Sequence, residues 1–293
     1  MRRAFYVQFA RMCLDVEVPS GYQQSGNERY MTQLDRHFGR TAFGRDAAGY
    51  DAARPDYPDW VYRVLRDRCG LRPGTATFEI GAGTGTATRR LLELGADPLI
   101  AIEPDARLAA YLGKRCPTHS LRTLVQPFET AALEDGAYDL GVSATSFHWL
   151  DENAALAKVA TLLRPGGWWA AVWNVFGDDS RPDYFHDATQ GLLAGPDSPS
   201  AGKAGVPFAL DAPARMAALE QAAAFEMAEH QTSRWSLVLD PDQTVALYAT
   251  YSNIVVRADH AQVLAELHRI ASDQFQGRVV RNMTTALFTA RRR

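Results

Sequence analysis

Cysteine is scarce in this chain of 293 residues: Cys13, Cys69 and Cys116 are the only three, and they form neither a CxxC pair nor a cluster with histidine. An odd number without pairing spacing argues against a secreted disulfide framework and leaves reduced thiols. Lysine is equally rare. Lys114, Lys158 and Lys203 stand among 31 basic residues, the rest being arginine. Neither sign of charge dominates, and a net charge of −3 supplies no basic field to draw in a polymeric anion, so no nucleic-acid partner is expected. Long apolar runs are missing too. The longest, Trp168 to Trp173, falls far short of the ~20 residues that span a bilayer, which excludes a membrane helix. Phe5, Phe9 and Met12 are interrupted by Arg11 and no small-residue cleavage site follows, so no signal peptide is read and a cytoplasmic location is expected. His186 and His230 are far apart without ligand spacing, so no metal is expected, and Asp178-Asp179 beside Ser180 reads as an exposed turn.

What is present begins with 46% hydrophobic content, enough for one large core, in a chain that exceeds a minimal ~200-residue α/β domain. The surplus is assigned to a cap over a substrate. The most informative stretch is Phe78-Glu79-Ile80-Gly81-Ala82-Gly83-Thr84-Gly85, followed by Ile102-Glu103-Pro104-Asp105. Residues 75–80 read as a strand, the alternating glycines as a sharp turn, and Thr86 to Leu92 as a helix. A second strand then ends on Glu103. In a parallel doubly wound sheet both strand ends lie on one edge, where a carboxylate can accept from both hydroxyls of a ribose.

Two cofactor classes use such a layout. A dinucleotide fingerprint has glycines at its first, third and sixth positions, whereas the sixth position here is Thr86. Glu79, two residues before Gly81, would repel a phosphate and suit an ammonium group. The pattern favours an amino-acid-bearing nucleoside such as S-adenosylmethionine. A nicotinamide-dependent oxidoreductase and a non-catalytic S-adenosylmethionine-binding protein remain as alternatives, as does a turn that binds no nucleotide.

These motifs resemble the class I S-adenosylmethionine-dependent methyltransferases, in particular the bacterial small-molecule group of the type 11 kind. The resemblance extends to Tyr50-Asp51-Ala52-Ala53-Arg54-Pro55-Asp56-Tyr57-Pro58, Phe128-Glu129, Tyr138-Asp139-Leu140-Gly141-Val142-Ser143, Phe147-His148-Trp149 and Leu163-Arg164-Pro165-Gly166-Gly167. It implies a doubly wound, Rossmann-like α/β fold with a seven-stranded sheet whose last strand is antiparallel, plus a helical cap insertion. Residues 1–39 would form an N-terminal arm and linker, 40–176 the cofactor-binding core, 177–275 the cap with a core strand near 226–237, and 276–293 the C-terminal strand and tail. Strands are expected at 75–80, 98–103, 121–126, 138–144, 167–175 and 279–291, and late helices at 211–224, 241–255 and 259–275. Strand character near Thr284 to Phe288 is legible, but its direction is not. The arm either packs on a neighbouring subunit, giving a homo-oligomer, or is disordered.

The resemblance implies a methyl transfer to a small, hydrophobic or aromatic metabolite, yielding S-adenosylhomocysteine. Tyr50, Arg54 and Tyr57 would fold over the methionine end, with Arg54 matching the carboxylate. Glu79, Gly81, Ala82, Gly83, Thr84 and Gly85 would surround the amino-acid and ribose portions, and Glu103 the ribose hydroxyls. Pro104, Phe128 and Glu129 would hold adenine. Many relatives place an acid where Pro127 stands, so the partner of the exocyclic amine is Glu129 or a backbone carbonyl. Ala144, Thr145 and Phe147 would complete the cofactor wall. His148, Trp149 and Trp173 would face the acceptor, with His148 either the base that removes its proton or a wall residue.

Overall fold

The computed structural model describes residues 34–35, 42–178, 180–196, 198–202 and 205–293. Apart from residues 34–35, the expected arm over 1–39 lies outside the described residues, as does Cys13; Cys69 and Cys116 are buried free thiols.

Seven strands form one sheet in the order β3-β2-β1-β4-β5-β7-β6. They are β1 Thr75–Ile80, β2 Ala96–Ile102, β3 Leu121–Leu124, β4 Tyr138–Ala144, β5 Leu163–Phe176, β6 Phe225–Leu239 and β7 Val279–Arg292. The first five pair in parallel and β7 runs antiparallel to both β5 and β6. The chain reverses its order after β3 by returning to the other side of β1, so the carboxyl ends of β1 and β4 flank a crevice, the usual ligand position of such sheets. The inner strands are buried and rich in apolar residues, as expected where helices cover both faces. β6, on the edge, alternates partly buried and exposed positions.

Three of the helices that shape the crevice start at aspartate caps. Asp46 accepts from Gly49 N ahead of α1 (Ala47–Ala53), and α2 spans Asp59–Asp67. Gly85 opens α3 (Thr86–Glu93) at φ +91°, a left-handed conformation that glycine adopts without strain. Asp105 caps α4 (Ala106–Arg115) and Asp151 caps α5 (Glu152–Leu162). α1 is tied over the crevice by Asp51, whose carboxylate meets Arg89 and Arg115, each at 3.0 Å.

Apart from β6, the described residues of 177–275 divide their packing between two places. α7 (Ala212–Gln221) and Phe208–Leu210 join the core that includes Phe78, Phe147, Trp169 and Phe288, and Arg215 bridges to Glu152 at 2.7 Å. α6 (Tyr184–Thr189), α8 (Pro241–Tyr248), α9 (Ser252–Val255) and α10 (His260–Asp273) build a separate cluster around Phe185, Leu247, Tyr248 and Leu267. The helix expected over 241–255 is broken into two by a turn at Ala249 to Tyr251. That cluster is joined to β7 by Arg281, which is buried, donates to Asp183 at 3.0 Å and also contacts the Tyr248 hydroxyl. Asp178 is not in an exposed turn: its buried carboxylate accepts from Ser180 and pairs with Arg181 and Arg234. No helix among the described residues is long and apolar enough to cross a membrane.

Candidate active site

The turn after β1 is built by backbone first. Gly81 N and Ala82 N donate to Ile102 O at 2.8 and 3.2 Å, which ties the turn to the end of β2. Gly81 has φ +67°, and a Cβ there would stand 2.4 Å from Ser146 Cβ, whose hydroxyl donates to Ile80 O. At Gly83, φ is +58° and a Cβ would meet nothing within 4 Å, so its outer face looks into open space. Gly83 N donates to Glu103 Oε2 at 2.8 Å, and Asp105 N donates to Glu103 Oε1 at 2.9 Å. Two backbone donors thus orient the carboxylate at the end of β2.

Both acids of the motif are almost fully buried, Glu79 at 1% and Glu103 at 4% exposure. Burial pushes the Glu79 carboxyl up to about 8; the hydrogen bond from Thr88 Oγ1 at 2.6 Å opposes that rise and the neighbouring Glu103 charge adds to it. Burial likewise raises Glu103 to about 7, against the two backbone hydrogen bonds. Two carboxylates that resist ionisation are a site waiting for hydrogen-bond donors or a cation.

They line a cavity whose wall contains Tyr50, Arg54, Tyr57, Glu79, Gly81, Ala82, Gly83, Thr84, Glu103, Pro104, Phe128, Glu129, Ala144 and Thr145, so most of the expected cofactor residues are brought together. Gly85 and Phe147 are not among them. Gly85 serves the helix start, where a Cβ would strike Leu112 Cδ1 at 2.5 Å, and Phe147 is 2% exposed and packs on Trp169 at 5.0 Å. Phe128 shows the cavity only part of itself, being 2% exposed and stacked with Phe78 at 6.3 Å. Lys158 Nζ donates to the carbonyls of Phe128, Glu129 and Ala131, which fixes the loop after β3. The Thr84 hydroxyl is buried without a partner. Ser146, Leu108 and Met283 also line this cavity and were missed: small or aliphatic residues on three separate elements leave no motif.

A second cavity adjoins the first and shares Phe43, Tyr50, Arg54, Thr145, Trp149, Asn174 and Phe176 with it. Thr145, at φ +54°, terminates β4 between the two, with its hydroxyl 2.6 Å from that of Tyr57. His148 and Trp173 line this second chamber and not the first. Trp173 Nε1 donates to His148 Nδ1 at 3.1 Å. A tryptophan can only donate, so Nδ1 is the acceptor and the neutral ring carries its hydrogen on Nε2. Burial, with Arg54 adding to the effect, lowers the imidazole to about 3. Of the two roles left open for His148, base or wall residue, the first therefore finds no support in its surroundings: the lone pair is already engaged and the remaining nitrogen is a donor. Spacing along the chain gives no sign of this, because Trp173 lies 25 residues away on β5. Tyr251, expected with Trp173 and Phe176 among the pocket aromatics, lines the chamber, whereas Phe208 was missed; the two come from segments far apart in sequence.

The crevice at the carboxyl edge, the glycine turn and the acid ending β2 have the layout of the methyltransferase Rossmann-like fold. Residues 78–171 match the family model described as a methyltransferase domain. The chain is 33% identical over 144 residues to an uncharacterized methyltransferase of Schizosaccharomyces pombe, covering 49% of this chain and 56% of that protein. It is 34% identical over 125 residues to an uncharacterized methyltransferase of Mycobacterium tuberculosis, covering 41% and 47%. The chain thus spans about half the length of these relatives. Among solved structures, the [4+2]-cyclase SpnF superposes with a TM-score of 0.56 at 15% identity, covering 92% of this chain and 99% of that one. A Haemonchus contortus phosphoethanolamine N-methyltransferase in complex with S-adenosyl-L-methionine gives a TM-score of 0.55 at 12% identity, covering 91% and 61%. At these identities the structural likeness speaks for the fold alone.

Proposed function

We propose that the protein transfers a methyl group from S-adenosylmethionine to a small hydrophobic or aromatic metabolite by in-line displacement. The observation that carries this reading is the pair Glu79 and Glu103, two buried carboxylates on consecutive strand ends with an open glycine face between them. An ammonium group beside Glu79 and ribose hydroxyls beside Glu103 would supply what both acids lack, whereas a diphosphate would add negative charge where ionisation is already costly. Arg54 and Tyr57 would close over the methionine end, and Pro104, Phe128 and Glu129 would receive adenine. When bound, the sulfonium supplies an already activated methyl group, so the protein's part is alignment and exclusion of water. The cap expected over 177–275 would cover the acceptor, with Trp149 and Trp173 in the wall beneath it.

Calorimetry with S-adenosylmethionine, S-adenosylhomocysteine and NAD tests the cofactor. Micromolar binding of the first two and none of NAD is expected; the reverse would transfer the protein to the oxidoreductases. Because a cyclase shares the fold, formation of S-adenosylhomocysteine with an acceptor panel is the separate test of methyl transfer.

A further inference from the structure

Charge is sorted between the two cavities. The first contains Glu79 and Glu103, while among the described residues lining the second there is no carboxylate. Arg54 lies in both walls. Its guanidinium carbon sits 4.8 Å from the Tyr251 ring centroid and 5.3 Å from that of Tyr50, so two aromatic faces hold it in place. One Nη donates to Thr250 O at 3.2 Å, and Nε is buried without a partner. Tyr251 Oη is also buried without a partner. A buried donor left unsatisfied is costly unless a ligand completes it. His148 contributes a third donor, the Nε2–H fixed by Trp173.

The chamber is equally poor in proton acceptors of useful strength. Burial pushes the Tyr251 phenol well above its ordinary value, so it stays protonated and donates. Tyr57 is raised in the same way. With His148 depressed and its lone pair engaged by Trp173, neither it nor Tyr251 takes a proton from an alcohol or phenol at neutral pH.

On the reading of the first cavity given above, we infer that the acceptor is a carboxylic acid with a hydrophobic or aromatic body, bound as its anion by Arg54 and Tyr251 and methylated on oxygen. The charges and atoms balance without a base. A carboxylate oxygen forms the new bond to the methyl carbon, the bond from that carbon to sulfur breaks, and its electron pair stays on sulfur. An anion and a sulfonium become a neutral ester and a neutral thioether, and no proton moves. An amine acceptor would instead leave a cation beside Arg54.

The test uses binding of phenylacetate, its methyl ester and phenethylamine, measured by calorimetry on the full-length protein saturated with S-adenosylhomocysteine. Phenylacetate is expected to bind at least tenfold more tightly than either analogue. Because Arg54 also borders the cofactor cavity, each variant is first shown to be saturated with S-adenosylhomocysteine; Arg54→Gln should then abolish that preference, Arg54→Lys should keep it in weakened form, and Tyr251→Phe should weaken phenylacetate severalfold while sparing the ester. Equal affinities, absence of any phenylacetate binding, or a preference that survives Arg54→Gln overturns the inference. Failure of S-adenosylhomocysteine itself to bind, measured first, would instead strike the cofactor reading and this inference with it.

Discussion

Trp173 Nε1 and His148 Nδ1 meet at 3.1 Å in a buried contact between β5 and the loop after β4, and this one hydrogen bond decides which way the imidazole presents its proton. The pair turns the most conspicuous candidate base of the sequence into a donor.

If that is so, methyl transfer at saturating S-adenosylmethionine is expected to show no inflection near the ordinary imidazole value. In the fold the ring titrates at about 3, so the unfolded chain binds the extra proton between pH ~6.5 and that value. Stability is therefore expected to fall as pH drops below ~6.5, and urea midpoints across pH 4 to 7 should flatten in His148→Asn, which keeps an acceptor for Trp173 but cannot titrate. His148→Leu, which leaves the indole N–H unpaired, should cost about 1–3 kcal/mol. An undiminished pH slope in His148→Asn would show that the slope comes from elsewhere.

Glu79 and Glu103 have the opposite sign. Raised to about 8 and about 7, they hold protons in the ligand-free fold that an ammonium group and ribose hydroxyls would displace. Affinity for S-adenosylmethionine is expected to rise from pH 6 to pH 8, with proton release detectable in buffers of different ionisation enthalpy. Glu103→Ala should raise Kd roughly 10- to 100-fold, about 1.4–2.8 kcal/mol. Glu79→Gln should lower affinity and remove part of the pH dependence, leaving the part that belongs to Glu103.

Gly81 and Gly83 share a left-handed backbone but not their surroundings. Gly81→Ala drives a methyl into Ser146, 2.4 Å from its Cβ, and is expected to destabilise the protein by more than the ~1–2 kcal/mol of left-handed strain alone. Gly83→Ala adds that strain only, while filling the face on which the ligand would lie. Thermal melts should separate the two: a large loss for Gly81→Ala, and for Gly83→Ala a small one accompanied by poor cofactor binding.

Asp183 neutralises Arg281, whose side chain is 5% exposed, and it also accepts from Asn282 N at 3.2 Å. Asp183→Ala leaves that buried cation unpaired, for an expected loss on the order of 3–5 kcal/mol. Replacing Arg281 by Met together with Asp183→Ala should recover much of it, which denaturant titration of the single and double variants can read.

The cofactor cavity was legible because its parts are local. The turn from Gly81 to Gly83 and the acids Glu79 and Glu103 sit at the ends of consecutive strands, so strand polarity alone brings them to one edge. Gly85 and Phe147 were misplaced for the same reason. Neighbours in a motif need not share a wall, since one residue here starts a helix and the other points into the core.

Sequence by itself determined the order of strands and helices, the glycine turn and the two acids, because hydrophobic periodicity and conformational freedom are properties of short stretches. Tertiary structure alone decided the direction of β7, the tautomer of His148 and the pairing of Arg54 with Tyr251. Each depends on residues brought together from distant segments, and the dielectric surroundings that set their protonation exist only once the core has closed around them.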